Sequence, residues 1–320
     1  MKLGFLGLGR MGARMAKKLI ADGHDVVVWN RSKEAVDALI ADVASTKPTD
    51  KVIGIKNYGV ITPASSVKNV IDNLSDVRII WLMLPAGEAT GGILQEVAGY
   101  VGKNDIVIDG GNANWKDTER RYEDLTAKGI RFLGIGVSGG VLAIKNGFPL
   151  MVGGDKSAYE EIVPILNTLA YPHGGHTYLG KGGAGHFVKM VHNGVEYGMM
   201  QAIGEGFEVL EKSPFKFDLL QVGQIWQRGS IVSSFLIDRA VDALKKDSKL
   251  TNMAGPIAEN GEAKWTLDAA KEENVPVKVI EDSLQYRWDS QTDEKIQNSY
   301  TAKMVSALRF EFGGHEIKKK

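Results

Sequence analysis

The chain has 320 residues, 43% of them apolar and 24% charged, a globular balance that argues against disordered, fibrous and membrane classes and leaves room for two domains. Lysine plus arginine equals aspartate plus glutamate, 39 of each, so no global positive field exists to hold nucleic acid and any attraction for anions is local. Cysteine is absent, which excludes disulfides, thiol nucleophiles and cysteine-ligated metal centres; no metal is expected, and a cytoplasmic location is.

The apolar run Met1–Gly7 is too short and too glycine-rich for a signal segment, and no stretch approaches the roughly 18 apolar residues of a membrane span. It reads instead as a strand over Lys2–Leu6. The strand runs into Gly7-Leu8-Gly9-Arg10-Met11-Gly12, and Ala13–Ala21 then carries apolar residues at helical spacing. A bare G-x-G-x-x-G is common by chance. Between a strand and a helix, with a second strand over Val26–Trp29, it predicts a dinucleotide-binding turn. One glycine makes the turn, one admits the pyrophosphate and one lets helix pack on strand. Gly7, Leu8, Gly9, Arg10, Met11 and Gly12 are therefore cofactor-binding candidates.

Dinucleotide folds that take NAD commonly carry an acidic residue about 20 residues further on, where it binds the ribose 2′-hydroxyl. Here the second strand ends in Asn30, Arg31 and Ser32. A guanidinium and a hydroxyl can bond a 2′-phosphate that a carboxylate would repel, so NADP is the preferred cofactor, with NAD possible if Arg31 is only a solvated surface charge.

Between Ala41 and Val60 the pattern supports neither helix nor strand. Strands return at Arg78–Leu84 and Ile106–Asp109, with helical segments between them. Their ends bring Met83, Leu84, Pro85 and Asn112 to the carboxyl edge of a parallel sheet, where ligands of such folds bind. Asn112 is a candidate contact to cofactor or substrate, although Gly110-Gly111-Asn112 is also ordinary turn chemistry. After Val137-Ser138-Gly139-Gly140 and a strand-like Pro149–Val152, the glycines of Gly180–Gly185 open a long helix over His186–Leu210. The expected fold is a Rossmann-like α/β domain with a mostly parallel sheet (1–180), then an all-α substrate-binding and dimerisation domain with a C-terminal tail (181–320). Lys318-Lys319-Lys320 reads as a solvated end.

On the long helix Lys189, His192, Asn193 and Glu196 stand at i, i+3, i+4 and i+7, which puts an amine, an imidazole, an amide and a carboxylate on one face. The segment Lys189–Tyr197 resembles the active-site helix of 6-phosphogluconate dehydrogenases of the shorter bacterial type. Asp109–Asn112, Val137–Gly140, Gly261-Glu262-Ala263-Lys264-Trp265-Thr266, Arg287 and Leu308–His315 resemble further segments of that family in the same order, so the likeness covers nearly the whole chain. It departs after Ala41 and at Val141-Leu142-Ala143.

The resemblance implies an oxidative decarboxylation of 6-phosphogluconate to ribulose 5-phosphate and CO2 in the pentose phosphate pathway. It makes Lys189 the base and Glu196 the acid that protonates the enediol. Asn112, Ser138, Gly139, Gly140, His192 and Asn193 would meet the carboxylate and hydroxyls, and Tyr197, Lys264, Arg287, Arg309 and His315 the phosphate. It further implies a homodimer whose tail pair, Arg309 and His315, completes the partner's site, with no nucleic-acid or membrane partner. The rivals are a β-hydroxyacid dehydrogenase of the 3-hydroxyisobutyrate kind, which shares the glycine turn and helix lysine without decarboxylating, and a catalytically silent NADP-binding sensor.

Overall fold

The computed structural model describes residues 1–46 and 58–314, which form two compact units, Met1–Lys189 and Met190–Lys320. His315 and the terminal lysines lie outside the described residues, as does 47–57.

The first unit runs β1 (Lys2–Leu6), α1 (Arg10–Ala21), β2 (Asp25–Trp29), α2 (Lys33–Thr46), β3 (Ile61–Pro63), α3 (Val67–Asp72), β4 (Ile79–Leu82), α4 (Glu88–Ala98), β5 (Ile106–Asp109), α5 (Trp115–Ala127), β6 (Arg131–Val137), α6 (Ala143–Asn146), β7 (Leu150–Gly154), α7 (Lys156–Ala170) and β8 (His176–Gly180). The eight strands form one sheet in the order β3-β2-β1-β4-β5-β6-β7-β8, parallel throughout except where β7 pairs antiparallel with β6. Successive strand residues feed opposite faces: Phe5, Val28 and Trp81 enter one apolar layer while Leu6, Val27 and Ile80 enter the other. Helices cover both, which is why these strands read as unbroken apolar runs. The chain order reverses between β1 and β4, so the glycine turn after β1 and the loop after β4 share one crevice at the carboxyl edge.

Two sequence expectations change. Ala41–Thr46 is the last stretch of α2, with Val43 2% exposed against the core; its alternating small residues hide a helical period. The strand expected over Arg78–Leu84 is only Ile79–Leu82, leaving Met83, Leu84 and Pro85 as the loop that follows.

Helix α8 (Ala184–Glu211) begins in the first unit and continues into the second. There follow α9 (Leu219–Gln227), α10 (Phe235–Lys246), α11 (Glu262–Glu272), α12 (Lys278–Asp289), α13 (Glu294–Asn298) and α14 (Tyr300–Gly313). No strand is found among the described residues beyond Gly180. Met200 and Phe207 of α8 pack with Ala240 and Leu244 of α10 and with Met304, Val305 and Leu308 of α14. Helix α14 runs back along α8: near its start Thr301 donates through N and Oγ1 to Glu208 Oε2 at 3.0 and 2.6 Å. Among the described residues no helix is long and apolar enough to cross a membrane, and no cluster of His, Asp and Glu with metal-binding geometry occurs.

Candidate active site

The three glycines of the turn do three different things. Gly7 has φ +100°, a left-handed conformation, and a Cβ there would strike the Met83 carbonyl. A Cβ on Gly12 would collide with the Gly7 carbonyl, so this position lets α1 close on the turn. Gly9, the N-cap of α1, has nothing within 4 Å of where its Cβ would be. That open spot in front of the amides of Arg10 and Met11 is the approach a pyrophosphate requires, and the turn fits a dinucleotide.

Asn30, expected at the ribose, is committed to the scaffold: its Oδ1 accepts from Leu8 N at 2.9 Å and its Nδ2 donates to Ser32 O at 3.2 Å. Arg31 and Ser32 are exposed beyond it, with no carboxylate at this strand end.

The loop after β4 is held from below by residues that sequence reasoning missed. Arg121 of α5 pairs with the fully buried Asp109 at the end of β5, 2.8 Å away, and donates to Gly87 O at 3.4 Å. Asp109 also accepts from Gly111 N at 3.2 Å, which shapes the Gly110-Gly111-Asn112 turn. Burial pushes the Asp109 carboxyl up to about 6, against the pull of Arg121. Asn112 clasps Val137, its Oδ1 accepting from Val137 N at 3.2 Å, and so fixes where the Ser138-Gly139-Gly140 loop departs. Gly139 at φ +95° and Gly140 at φ +57° make that loop's bend.

The start of α8 lies close on β6. A Cβ on Gly136 would meet Lys189 Cβ and Cγ, so this strand glycine admits the helix face, and one on Gly134 would strike Thr118 Cγ2, with the His186 ring next nearest. Lys189 is 5% exposed. One turn before it, His186 is buried with Nδ1 2.7 Å from Thr118 Oγ1, and burial pulls its ring down to about 4, which keeps it neutral.

In the second unit, Gly194 lets α11 approach α8, for a Cβ there would meet Thr266 Cγ2 at 2.9 Å, and Thr266 Oγ1 donates to Met190 O at 2.7 Å. This docking delivers Glu262, 2% exposed, to Asn193, whose Nδ2 donates to Glu262 Oε2 in a very short hydrogen bond. His192 Nδ1 lies 2.8 Å from Asn193 Oδ1 and 4.0 Å from Glu196 Oε2. Asn260 Nδ2 also donates to Glu262 Oε2, at 2.6 Å, and Tyr197 Oη donates to Asn260 Oδ1 at 3.1 Å. The single proton of Tyr197 is thus engaged within the protein.

The Arg287 guanidinium lies 3.2 Å from the centroid of the Tyr197 ring and is 2% exposed. Burial pulls Arg287 down to about 10, helped by Arg309 and opposed by Tyr197. Arg309, on α14, is also pulled down by burial and feels the same Tyr197. Glu196 and Glu259 act on both arginines from farther off; among the described residues neither guanidinium forms a direct ion pair. A buried guanidinium, Arg287, stacked on the Tyr197 ring and a half-buried one, Arg309, near enough to feel it, with no carboxylate in contact among the described residues, make a place for an anion. Lys264 is exposed on α11 and outside these contacts.

Comparison with known proteins agrees with this geometry. Residues 2–180 match the NAD binding domain of 6-phosphogluconate dehydrogenase, and residues 185–319 match the C-terminal domain of the same enzyme. The chain belongs to the 6-phosphogluconate dehydrogenase family. It is an oxidoreductase with an NAD-binding first domain. The Bacillus subtilis protein YqeC, provisionally named a 6-phosphogluconate dehydrogenase, is 40% identical over the full length of both chains. The Haloferax volcanii enzyme named as the NAD(+)-dependent, decarboxylating 6-phosphogluconate dehydrogenase is 37% identical over 100% of this chain and 99% of that one. The 6-phosphogluconate dehydrogenase of Plasmodium falciparum, solved in its apo form, with NADP+ and with 6-phosphogluconate, superposes with a TM-score of 0.78 at 32% identity, over 91% of this chain and 62% of that one.

Proposed function

We propose that the protein oxidises 6-phosphogluconate at C3 and decarboxylates it to ribulose 5-phosphate. The observation that carries this reading is the buried Arg287 guanidinium over Tyr197 with the half-buried Arg309 nearby, an anion site in the same helical unit as Asn193 and Glu196. A substrate with a phosphate at one end and a carboxylate and hydroxyls at the other suits such a strip. A small hydroxy acid without phosphate would leave both arginines idle, which counts against the 3-hydroxyisobutyrate rival; a silent sensor would need no buried lysine.

Lys189 takes the proton of the C3 hydroxyl. The step requires the free amine of this side chain, which is 5% exposed. When bound, the nicotinamide supplies the hydride acceptor. Protonated Lys189 then donates to the C3 ketone and stabilises the enolate charge as CO2 leaves, and Glu196 protonates C1 of the enediol. Asn112, Ser138, Gly139, Gly140, His192 and Asn193 bind the carboxylate and hydroxyls. Tyr197, its proton held by Asn260, contributes its ring beneath Arg287, while Lys264 and His315 are proposed at the margin of the phosphate site.

NADP is the proposed preferred cofactor, with NAD accepted; the support is Arg31 and Ser32 at the end of β2, where no carboxylate stands. We also propose a homodimer in which tail residues reach the partner's site. Val191, Val195 and Met199, exposed along α8, offer an apolar stripe for a second copy, and fully active monomers in sedimentation would contradict it. For Arg309 the neighbours seen are those of its own chain.

Replacing Lys189 with Met tests the base assignment. Oxidation should be abolished while cofactor binding by fluorescence titration persists; retained turnover would overturn it.

A further inference from the structure

Two side-chain amides, groups that each have a donor and an acceptor face, hydrogen-bond to the Glu262 carboxylate. A carboxylate only accepts, so whatever touches it must present a donor. The two amides on its Oε2 are therefore turned with nitrogen toward Glu262, Asn193 through Nδ2 and Asn260 through Nδ2. Each amide's oxygen then faces the other way. That of Asn260 accepts from Tyr197 Oη at 3.1 Å, and that of Asn193 lies 2.8 Å from His192 Nδ1. An amide oxygen cannot donate, so His192 Nδ1 must carry the hydrogen. In the neutral ring the acceptor is then Nε2, the nitrogen that points away from Asn193.

We propose that Glu262 is a positioning residue that sets the donor and acceptor polarity of the substrate strip, fixing His192 as the Nδ1–H tautomer and Tyr197 as a donor to Asn260. It acts through Asn193 and Asn260. The consequence for recognition is specific: a neutral His192 offers Nε2 as an acceptor to a substrate hydroxyl, and Tyr197 offers lone pairs and a ring instead of a proton. This deepens the proposed function and rests on it for the substrate's identity, though the polarity relay itself needs no substrate.

The placement supports a dedicated role. Glu262 is 2% exposed in the first turn of α11. Its helix is locked onto α8 by Thr266, whose Oγ1 donates to Met190 O at 2.7 Å, and by the absence of a side chain at Gly194. The one other carboxylate near the ring on its own helix, Glu196, stands 4.0 Å from Nδ1, beyond hydrogen-bond reach.

The test is ring-nitrogen NMR on the full-length protein labelled with ¹⁵N-histidine, at a pH near 8, above the ordinary histidine value of about 6.5. The His192 signals are assigned by their loss in His192→Asn. Wild type should give the Nδ1–H pattern, opposite to the Nε2–H form that free histidine favours. Glu262→Gln keeps an acceptor oxygen for both amides and should retain the pattern. Glu262→Ala should shift His192 toward Nε2–H, and Asn193→Ala, which leaves Glu262 in place and cuts the relay one link later, should do the same. An unchanged His192 pattern in both alanine variants, or an Nε2–H wild type, overturns the proposal.

Kinetics supply the second readout. Glu262→Ala should lower kcat/KM for 6-phosphogluconate by roughly 10–100-fold, the range commanded by outer partners of site ligands, with cofactor affinity unchanged and Glu262→Gln largely rescued. Adding Glu262→Ala to Asn193→Ala should cost no more than about twofold further, whereas independent effects would multiply. If wild type does not turn over this substrate yet the ring pattern follows the variants, the functional reading falls and the relay stands; turnover with an indifferent ring pattern overturns the relay alone.

Discussion

Removing Arg121 is the sharpest test of what holds the cofactor side of the crevice. Its side chain is 9% exposed and sits 2.8 Å from Asp109, itself wholly buried. Arg121→Met preserves most of the volume but strands a carboxylate in an apolar sheet, a change that costs about 3–5 kcal/mol where the charge persists. Asp109 can escape by protonating. Burial already raises it from 3.8 to about 6 with the guanidinium beside it, and without that partner it must rise further. A carboxyl raised in the folded state stabilises the fold below its unfolded value and loses that contribution as the pH rises through its folded value. In wild type this contribution, about 3 kcal/mol, fades between pH about 4 and 6. In the variant the window moves above pH 6. The stability difference should therefore be about 3–5 kcal/mol at pH 8 and shrink to roughly 1–2 kcal/mol at pH 5, where both proteins carry the proton. Urea unfolding of the two proteins at both pH values measures it. A difference that is the same at pH 5 and pH 8, or below about 1 kcal/mol at pH 8, would refute the reasoning.

Gly9→Ala should lower the melting temperature by no more than about 4 °C, because the added Cβ meets nothing and the loss is confined to the N-cap advantage of glycine over alanine, about 1 kcal/mol, yet weaken cofactor binding roughly tenfold or more in a fluorescence titration; unchanged affinity would deny that this spot receives the pyrophosphate. Gly194→Ala sets about 1 kcal/mol of helix propensity against an overpacking cost of about 1–3 kcal/mol. Thr266 is buried and bonded to Met190 O and cannot yield, so unfolding should report a net loss of roughly 1 kcal/mol, and a stabilised variant would show that α11 gives way. Arg31→Ala should raise KM for NADP roughly tenfold with KM for NAD nearly unchanged; equal effects on both would make Arg31 a bystander to the 2′-phosphate.

What could be read from the sequence was whatever is local. The strand, glycine turn and helix over Lys2–Ala21 follow from periodicity and three glycines, and the i, i+3, i+4, i+7 strip of α8 from helix geometry alone. The antiparallel β7 was less visible, since Leu150–Gly154 ends in two glycines and its direction is set by its partner β6. The supporting residues were invisible because each acquires meaning from a distant contact. Thr118 and His186 are 68 positions apart and Asn193 and Glu262 are 69, separations at which no pattern in one chain links them. Glu262 stood in plain view within Gly261–Thr266, between a glycine and an alanine. An acidic residue in the first turn of α11 was the signal available, and it reads equally as an ordinary favourable helix-dipole charge. The buried state of Arg287 is likewise a tertiary fact; its place over Tyr197 could not be inferred from spacing.

The central claim is tested most directly by an initial-rate assay with 6-phosphogluconate, comparing NADP with NAD and following both reduced nicotinamide and released CO2. The account predicts equimolar formation of the two products, faster with NADP. Nicotinamide reduction without CO2, or no turnover with either cofactor, would contradict it.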